Sequence, residues 1–198
     1  MDHLTGAVRI HVRGVMGSGK STFAADLAQA SGIPVHFEPL ENYQSLLEKA
    51  YRDPAQYREA AQRKIFAELL KHQARQGIID MTVEDNVFVF SKHYFRNSSV
   101  QSTLEAEYLE QLRAGAIQKP HLTIFLEPDP RTIHARIRLR RRPMEVAVSL
   151  ADIQSMTRLL KLDRETNYRL GDYLVVQGQE PAADIWSRIE GRLYAQYV

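Results

Sequence analysis

The chain has 198 residues, a length that fits one compact domain with a sizeable hydrophobic core. Its 26 Lys and Arg nearly balance 24 Asp and Glu, which argues against a protein whose main task is to coat nucleic acid. The absence of cysteine excludes disulfides, thiolate metal sites and cysteine nucleophiles. No apolar run is long enough to span a bilayer. We therefore expect a cytoplasmic protein that binds neither membranes nor nucleic acid.

Strands and helices are predicted to alternate along the chain. Short apolar runs bounded by Gly or polar residues predict strands, and apolar residues three or four apart predict helices. In chain order these are strand 7–12, helix 21–30, strand 33–37, two helices within 44–76 separated at Asp53-Pro54, strand 78–83, helix 102–114, strand 122–126, helices 131–142 and 150–168, strand 173–176 and helix 182–194. This alternation predicts an α/β fold in which helices cover both faces of a parallel sheet of about five strands. Ligands of such a sheet bind at the carboxyl ends of its strands.

A glycine-rich segment joins the first predicted strand to the first predicted helix. Its sequence, GVMGSGKS, matches the pattern G-x-x-x-x-G-K-[ST] without a mismatch. Glycines let backbone N–H groups approach phosphate oxygens, and the start of a helix favours an anion. The pattern predicts a three-layer P-loop nucleotide-binding fold, with Lys20 on the β- and γ-phosphates and Ser21 on Mg²⁺. The predicted phosphate-binding residues are Gly14, Met16, Gly17, Ser18, Gly19, Lys20, Ser21 and Thr22.

An acidic residue, Glu38, ends the second predicted strand. At that point its carboxylate would lie in the same crevice as the phosphate-binding segment and accept a proton from an attacking hydroxyl. A solvated loop glutamate is an equal alternative, and Glu41 competes for the catalytic role.

A second acidic pair, Glu84-Asp85, follows the third predicted strand. A carboxylate here would hold Mg²⁺ together with Ser21. A helix cap or turn is the alternative, and Asn86 favours it. We assign the metal role to Glu84 rather than to Asp85.

Arginines are concentrated just before Pro143, at Arg136, Arg138, Arg140, Arg141 and Arg142. A basic helix end followed by proline is typical of a mobile lid that places guanidinium groups against phosphate oxygens. A solvated basic face, or a patch for nucleic acid, is the alternative.

Several segments together resemble the deoxynucleoside kinase family. The run FEPLENY, which contains Glu38, is similar to that family's E-P-V-x-x-W/Y element. The first Glu of the element is the general base, so the resemblance selects Glu38 over Glu41. Tyr51 with Pro54 is similar to the family's Y-x-x-P segment, and Gln62 falls on the glutamine that pairs with the base.

The resemblance also implies the rest of a nucleoside site. Tyr51 would hold the sugar 3′-hydroxyl and Gln62 would pair with the nucleobase, while Phe66 or Tyr94 would stack on it. The segment after Leu139 resembles the lid R-G-R-x-E-E-x-x-I-P-L.

In this lid, expected at about 138–149, Arg140 and Arg142 fall on the two family arginines and Glu145 on the acid that assists the 3′-hydroxyl. The family further implies one kinase domain over 1–198, ATP as phosphate donor with Mg²⁺, and a homodimer.

The chain departs from the family at several points. Where the family has E-R-S or D-R-S after the third strand, this chain has Glu84-Asp85-Asn86, and an acid in place of arginine is expected to repel a triphosphate. Met144 replaces the first lid glutamate, and Arg141 replaces the lid glycine. Leu69 and Phe90 fall approximately on a charged pair of the deoxycytidine-preferring members, which predicts a preference for thymidine or a purine deoxynucleoside.

The function predicted from these residues is ATP-dependent phosphorylation of the 5′-hydroxyl of a deoxynucleoside, a reaction of nucleotide salvage. A nucleoside monophosphate kinase such as a thymidylate kinase is an alternative, and it requires a further cationic clamp for the acceptor phosphate. A nucleotide-binding regulatory protein without transfer activity is another, supported by the missing arginine. A basic nucleic-acid-binding module is disfavoured by the charge balance.

Overall fold

A parallel five-stranded sheet forms the centre of the protein. The computed structural model describes residues 8–96, 98–166, 172–178 and 180–195. The strands are Arg9–Arg13 (β1), Val35–His36 (β2), Gly77–Asp80 (β3), Leu122–Leu126 (β4) and Asp172–Val176 (β5). They pair in the order β2-β3-β1-β4-β5, and every pairing is parallel. The predicted α/β fold is therefore confirmed.

Helices cover both faces of this sheet. They are Lys20–Ser31 (α1), Gln44–Arg52 (α2), Pro54–Gln73 (α3), Lys92–Tyr94 (α4), Ser99–Arg113 (α5), Pro130–Arg140 (α6), Leu150–Thr166 (α7) and Ala182–Ala195 (α8), with 3₁₀ turns at Leu40–Asn42 and Pro143–Glu145 and a π-helical turn at Asp85–Ser91. Helices α1 and α8 pack on one face, where Phe23, Leu27 and Trp186 are buried. The opposite face carries the other core cluster. No helix within the described residues is both long and apolar enough to cross a membrane.

Strand β1 shows how the sequence separates the two faces. Successive side chains of a strand point to opposite faces. Ile10 and Val12 pack with the α1 and α8 cluster, so His11 and Arg13 point to the opposite face, where Arg13 meets acidic side chains. The central strand therefore carries buried polar residues on one face only.

The predicted elements are confirmed except at their ends. Asp53 caps α3 by accepting a hydrogen bond from the Gln56 backbone N–H, and Pro54 opens that helix, as the predicted break requires. Positions 7, 167 and 168 of the predicted elements lie outside the described residues.

The third strand ends earlier than predicted. Its pairing with β1 stops at Asp80, and Met81 has a φ of 68°, a left-handed conformation that cannot continue a strand. Residues 81–83 looked strand-like because they include the apolar Met81 and Val83, but these side chains are buried in the helical layer instead. The acid at the end of β3 is therefore Asp80, and Glu84 belongs to the helical segment that follows.

Candidate active site

The loop between β1 and α1 has the shape that its glycines predict. Gly17 and Gly19 have φ values of 76° and 99°, which favour glycine over other residues. A Cβ at Gly17 would lie 2.7 Å from Ile137 Cγ1. Helix α1 begins at Lys20, so its unpaired N–H groups open toward this loop.

The Lys20 side chain is hydrogen-bonded to the loop backbone and largely shielded from solvent. Its Nζ donates to the carbonyl oxygens of Gly14 at 2.9 Å and Val15 at 3.2 Å, and only 9% of the residue is exposed. The ammonium group is thus fixed beside the loop backbone, where phosphate binding requires a positive charge.

A cavity of about 280 Å³ lies at the carboxyl ends of the strands. It brings together most of the predicted site residues. From the loop and α1 these are Met16, Gly17, Gly19, Lys20, Ser21 and Thr22, and from elsewhere Glu38, Tyr51, Gln62, Tyr94, Arg140, Arg142 and Glu145. Of the predicted residues, Gly14, Ser18, Phe66 and Glu84 do not line it, and Glu41 is exposed to solvent.

Glu38 lies half-buried in the wall of this cavity. The Tyr43 hydroxyl donates a 2.5 Å hydrogen bond to Glu38 Oε1. Burial raises the pKa of the Glu38 carboxyl, while the Tyr43 hydrogen bond and the charges of Lys20 and Arg142 oppose the rise. A carboxylate with a raised proton affinity beside a lysine is suited to act as a base.

Asp80, which the sequence analysis did not single out, contacts the loop helix. Ser21 Oγ donates to Asp80 Oδ2 at 2.6 Å. Asp80 is 1% exposed, and within the described chain its other oxygen, Oδ1, has no hydrogen-bond partner. A hydroxyl and an unsatisfied carboxylate oxygen at this point fit a Mg²⁺ ion, which binds through one or two carboxylates and the substrate phosphates.

Glu84 occupies a different, closed environment. Gln73 Nε2 donates to its two oxygens at 3.0 and 3.1 Å, and the Tyr108 hydroxyl donates at 3.1 Å. The carboxylate is fully buried, and the structure does not bring it to Ser21. Because β3 ends at Asp80, the residues that directly follow the strand are Met81 and Thr82, and Glu84 lies further along the chain.

The expected repulsion between Asp85 and a triphosphate is not supported. Arg13 Nε lies 2.9 Å from Asp85 Oδ1, and Arg13 Nη1 lies 2.8 Å from Asp163 Oδ2, with all three side chains buried. Burial alone would lower the pKa of Arg13, but the two carboxylates raise it above its usual value. Asp85 is therefore paired with Arg13 inside the protein. No arginine directly follows Asp80, and Lys92 pairs with Glu105 at 3.1 Å.

Two amides meet at the end of the cavity that is lined by α3. Asn86 Nδ2 donates to Gln62 Oε1 at 2.6 Å, and both residues line the cavity. Among the described residues, none bonds to Asn86 Oδ1. The pair thus places two amide side chains in the cavity wall, with the Asn86 oxygen itself buried.

Aromatic residues complete that end of the cavity. The hydroxyls of Tyr51 and Tyr94 share a hydrogen bond, and the Arg58 guanidinium lies 4.8 Å from the Tyr94 ring centroid. Phe90 lines the cavity, but Leu69 is fully buried in the core beside Phe66. Tyr94 thus lines the cavity, whereas Phe66 is buried in the core and does not.

The predicted lid carries an internal ion pair. Arg140 forms two hydrogen bonds with the Glu145 carboxylate, and Arg142 Nη1 lies 3.9 Å from Glu145 Oε1. Helix α6 ends at Arg140, and the next residue, Arg141, has a φ of 49°, which turns the chain. Both lid arginines therefore face the cavity through their contact with Glu145.

A second cavity, of about 550 Å³, lies near the loop and is lined by α6. Arg136 lines it and donates to the Ser18 carbonyl oxygen at 3.1 Å, so this cavity adjoins the phosphate-binding loop. Its other lining residues are Glu127, Pro128, Asp129, Pro130, Thr132, Thr157, Lys161, Gln177 and Gly178.

Sequence reasoning did not assign Tyr43 or Asn86 to the first cavity or Arg136 to the second, and it did not single out Asp80, which contacts Ser21 of the first. Asp80 could have been identified from the sequence, because a lone carboxylate inside the apolar run IIDMTV is costly to bury without a function or a partner. The other three are placed by contacts between residues distant in the sequence or by local turns.

Comparisons of the sequence with known proteins find a matching family and two relatives. The family model described as deoxynucleoside kinase matches residues 10–165. Deoxyadenosine kinase from Dictyostelium discoideum is 30% identical over 157 residues, which cover 74% of this chain and 62% of that enzyme. The chain thus spans less than two thirds of the length of that relative. A probable thymidylate kinase from Archaeoglobus fulgidus is 25% identical over 136 residues, covering 66% of this chain and 69% of that protein.

Solved structures share the fold. Deoxyadenosine kinase from M. mycoides with bound dCTP superposes with a TM-score of 0.76 at 18% identity, covering 93% of this chain and 100% of that one. The same enzyme with bound dATP gives a TM-score of 0.70, with the same identity and coverage.

Proposed function

We propose that this chain, which belongs to the deoxynucleoside kinase family, transfers the γ-phosphoryl group of ATP to the 5′-hydroxyl of a deoxynucleoside. One observation carries the proposal. Lys20 of the phosphate-binding loop and Glu38 line the same cavity, close enough for the lysine charge to lower the proton affinity of the carboxylate. A cation for the phosphates and a base for the hydroxyl are the two groups that phosphoryl transfer needs in one place.

The proposed reaction is an in-line displacement. The 5′-oxygen attacks the γ-phosphorus, the bond to the β,γ-bridging oxygen breaks, ADP leaves and the hydroxyl proton passes to Glu38. Lys20, Arg140 and Arg142 stabilise the negative charge on the transferred group. Arg140 and Arg142 reach it by exchanging Glu145 for phosphate oxygens.

The metal requirement is assigned to Ser21 and Asp80. A bound Mg²⁺ would neutralise charge between the β- and γ-phosphates. The Asp80–Ser21 contact and the unpartnered Asp80 oxygen support this position over Glu84, which is enclosed by Gln73 and Tyr108.

The second cavity is the proposed site of the donor's adenosine. It adjoins the loop through Arg136 and is separate from the cavity that holds Glu38. Donor and acceptor would thus approach the loop from two sides, as transfer between two nucleosides requires.

Deoxyadenosine is the proposed acceptor. The Gln62 amide lines the cavity, and an amide can donate to the ring nitrogen and accept from the amino group on one edge of adenine. The relative from Dictyostelium discoideum carries the name deoxyadenosine kinase. The amide chemistry of the cavity and the name of this relative both fit the preference for a purine over deoxycytidine that the sequence predicts.

A thymidylate-kinase-like reaction is the second candidate, because one relative carries that name. It requires a cationic clamp for the acceptor phosphate. The acceptor end of the cavity is lined instead by uncharged residues such as Leu47, Tyr51 and Gln62. This composition favours an unphosphorylated acceptor.

A phosphotransfer assay tests the proposal. The protein is incubated with MgATP and each of the four deoxynucleosides, and separately with their monophosphates, and the products are separated by chromatography. We expect deoxyadenosine monophosphate as the main product. Diphosphates formed only from monophosphates would support the second candidate, and ATP binding without any transfer would support a regulatory protein. Deoxycytidine as clearly the best acceptor would contradict the assignment of the base.

We also propose a homodimer in the cytoplasm, as the family resemblance and the absence of cysteine imply. Sedimentation velocity measures the oligomeric state directly, and a monomer at micromolar concentration would contradict the dimer.

A further inference from the structure

Tyr43 contacts the carboxylate proposed as the base. It follows the 3₁₀ turn Leu40–Asn42, and its backbone N–H donates to the Leu40 carbonyl oxygen at 3.1 Å. The residue is 2% exposed and belongs to the core cluster, so its ring is fixed. Its hydroxyl donates to Glu38 Oε1 at 2.5 Å, a short charge-assisted hydrogen bond.

This bond leaves the two oxygens of Glu38 in different environments. Oε1 is occupied by Tyr43, and no other described residue donates a hydrogen bond to Oε2. Since Glu38 lines the cavity, Oε2 is the oxygen available to a bound hydroxyl. Resting on the proposed function, we propose that Tyr43 is a positioning residue that fixes the Glu38 carboxylate with Oε2 toward the substrate 5′-hydroxyl.

The charged and titratable groups around Glu38 come from several elements. Lys20 lies on α1, Arg142 follows α6, Asp80 ends β3 and Tyr51 lies on α2. Burial raises the pKa of Glu38, and the hydrogen bond from Tyr43 is the largest opposing effect, ahead of Lys20 and Arg142, whereas Asp80 adds to the rise. The Tyr43 hydrogen bond therefore favours the ionised form of the base as well as orienting it.

The hydroxyl of Tyr43 stays protonated and can therefore donate a hydrogen bond at neutral pH. Burial, followed by the Glu38 charge, raises its pKa above the ordinary tyrosine value, so it keeps its proton throughout the neutral range. Phenylalanine would fill the same space in the core without the hydrogen bond. The role of the hydroxyl is thus separable from the role of the ring.

The test is the pH dependence of Tyr43→Phe. Without the hydrogen bond, the acidic limb of kcat/KM should move to higher pH by about one unit, and kcat at neutral pH should fall about 10-fold. The KM for the deoxynucleoside should change much less, because the cavity keeps its shape. Tyr57→Phe is the matched control, since Tyr57 lies on α3 outside the cavity and contacts Lys49; its profile should match that of the unaltered protein.

A second variant guards against a folding defect. Replacing Tyr43 by 3-fluorotyrosine keeps the ring and strengthens the donor, so the acidic limb should move to lower pH. Unaltered limbs in both Tyr43 variants would overturn the inference.

Glu38→Gln separates this inference from the proposed function. If Glu38→Gln keeps the normal kcat, the base assignment fails and the role of Tyr43 fails with it. If Glu38→Gln loses activity while Tyr43→Phe keeps both kcat and pH profile, only the role of Tyr43 is refuted.

Discussion

Asp80 and Glu84 are two buried acids with opposite surroundings. Asp80 has one oxygen on Ser21 and one without a partner in the described chain, whereas Glu84 accepts hydrogen bonds from Gln73 and Tyr108. The first arrangement leaves one carboxylate oxygen without a partner, and the second satisfies the carboxylate within the core.

Asp80→Asn should therefore raise the Mg²⁺ concentration needed for half-maximal activity by about 10-fold, because the amide cannot supply a negative ligand. Glu84→Gln is the isosteric comparison. It should lower the midpoint of urea unfolding and leave the Mg²⁺ dependence unchanged. Mg²⁺ titrations of both variants measure this, and the reverse pattern would restore Glu84 as the metal-side acid.

Gln62 is expected to select the base through its contact with Asn86. Gln62→Leu removes the amide and leaves Asn86 without its partner, so kcat/KM for the deoxynucleoside should fall by about 10- to 100-fold, with the KM for ATP unaffected. Gln56→Leu, on the exposed surface of α3, is the control. Equal kinetics in the two variants would remove Gln62 from the base site.

His11 makes stability depend on pH. It is fully buried, and burial lowers its pKa from 6.5 to about 4. The unfolded chain thus binds the proton before the folded one, so this part of the stability is complete above pH 6.5 and is lost as the pH falls toward 4. The free energy of unfolding should drop by roughly 3 kcal/mol more in the unaltered protein than in His11→Asn over this range. Urea melts at pH 7 and 4 measure the difference, and parallel losses in both proteins would contradict it.

At the scale of elements, buried ion pairs attach α7 to the sheet. Arg13 of β1 joins the π-helical turn through Asp85 and α7 through Asp163. Arg164 of α7 lies 3.1 Å from Glu127, which follows β4. These pairs therefore connect α7, the helix that follows the lid, to β1, the strand that precedes the phosphate-binding loop.

Asp163→Asn should lower the free energy of unfolding by about 2 kcal/mol, because Arg13 keeps its pair with Asp85 but loses the charged partner of Nη1 that joins it to α7. Glu165→Gln changes an exposed acid on the same helix and should cost little. Urea denaturation compares the two. A loss no larger than that of Glu165→Gln would mean that the pair does not hold α7.

For the molecule as a whole, the sequence predicts best what local patterns determine. The phosphate-binding loop follows from its glycines and the helix start, and β4 from the apolar run LTIFL, so both were predicted. The end of β3 was not, because the burial of Met81 and Val83 comes from helix packing and not from the sheet.

Contacts between distant residues explain the remaining differences. The Arg13–Asp85 pair spans 72 residues and the Gln62–Asn86 pair spans 24. Sequence spacing cannot predict contacts between residues this far apart. The sequence therefore suggested that the charge of Asp85 lies beside the nucleotide, whereas the structure pairs it with Arg13 in the core.

The general base at the proposed transfer site gives the most direct test. Phosphorylation of the best deoxynucleoside is measured with saturating MgATP for Glu38→Gln and for Glu41→Gln, whose side chain is exposed. We predict that kcat falls by about 10²- to 10⁴-fold in Glu38→Gln and stays unchanged in Glu41→Gln. A Glu38→Gln protein with the kcat of the unaltered enzyme would contradict the account.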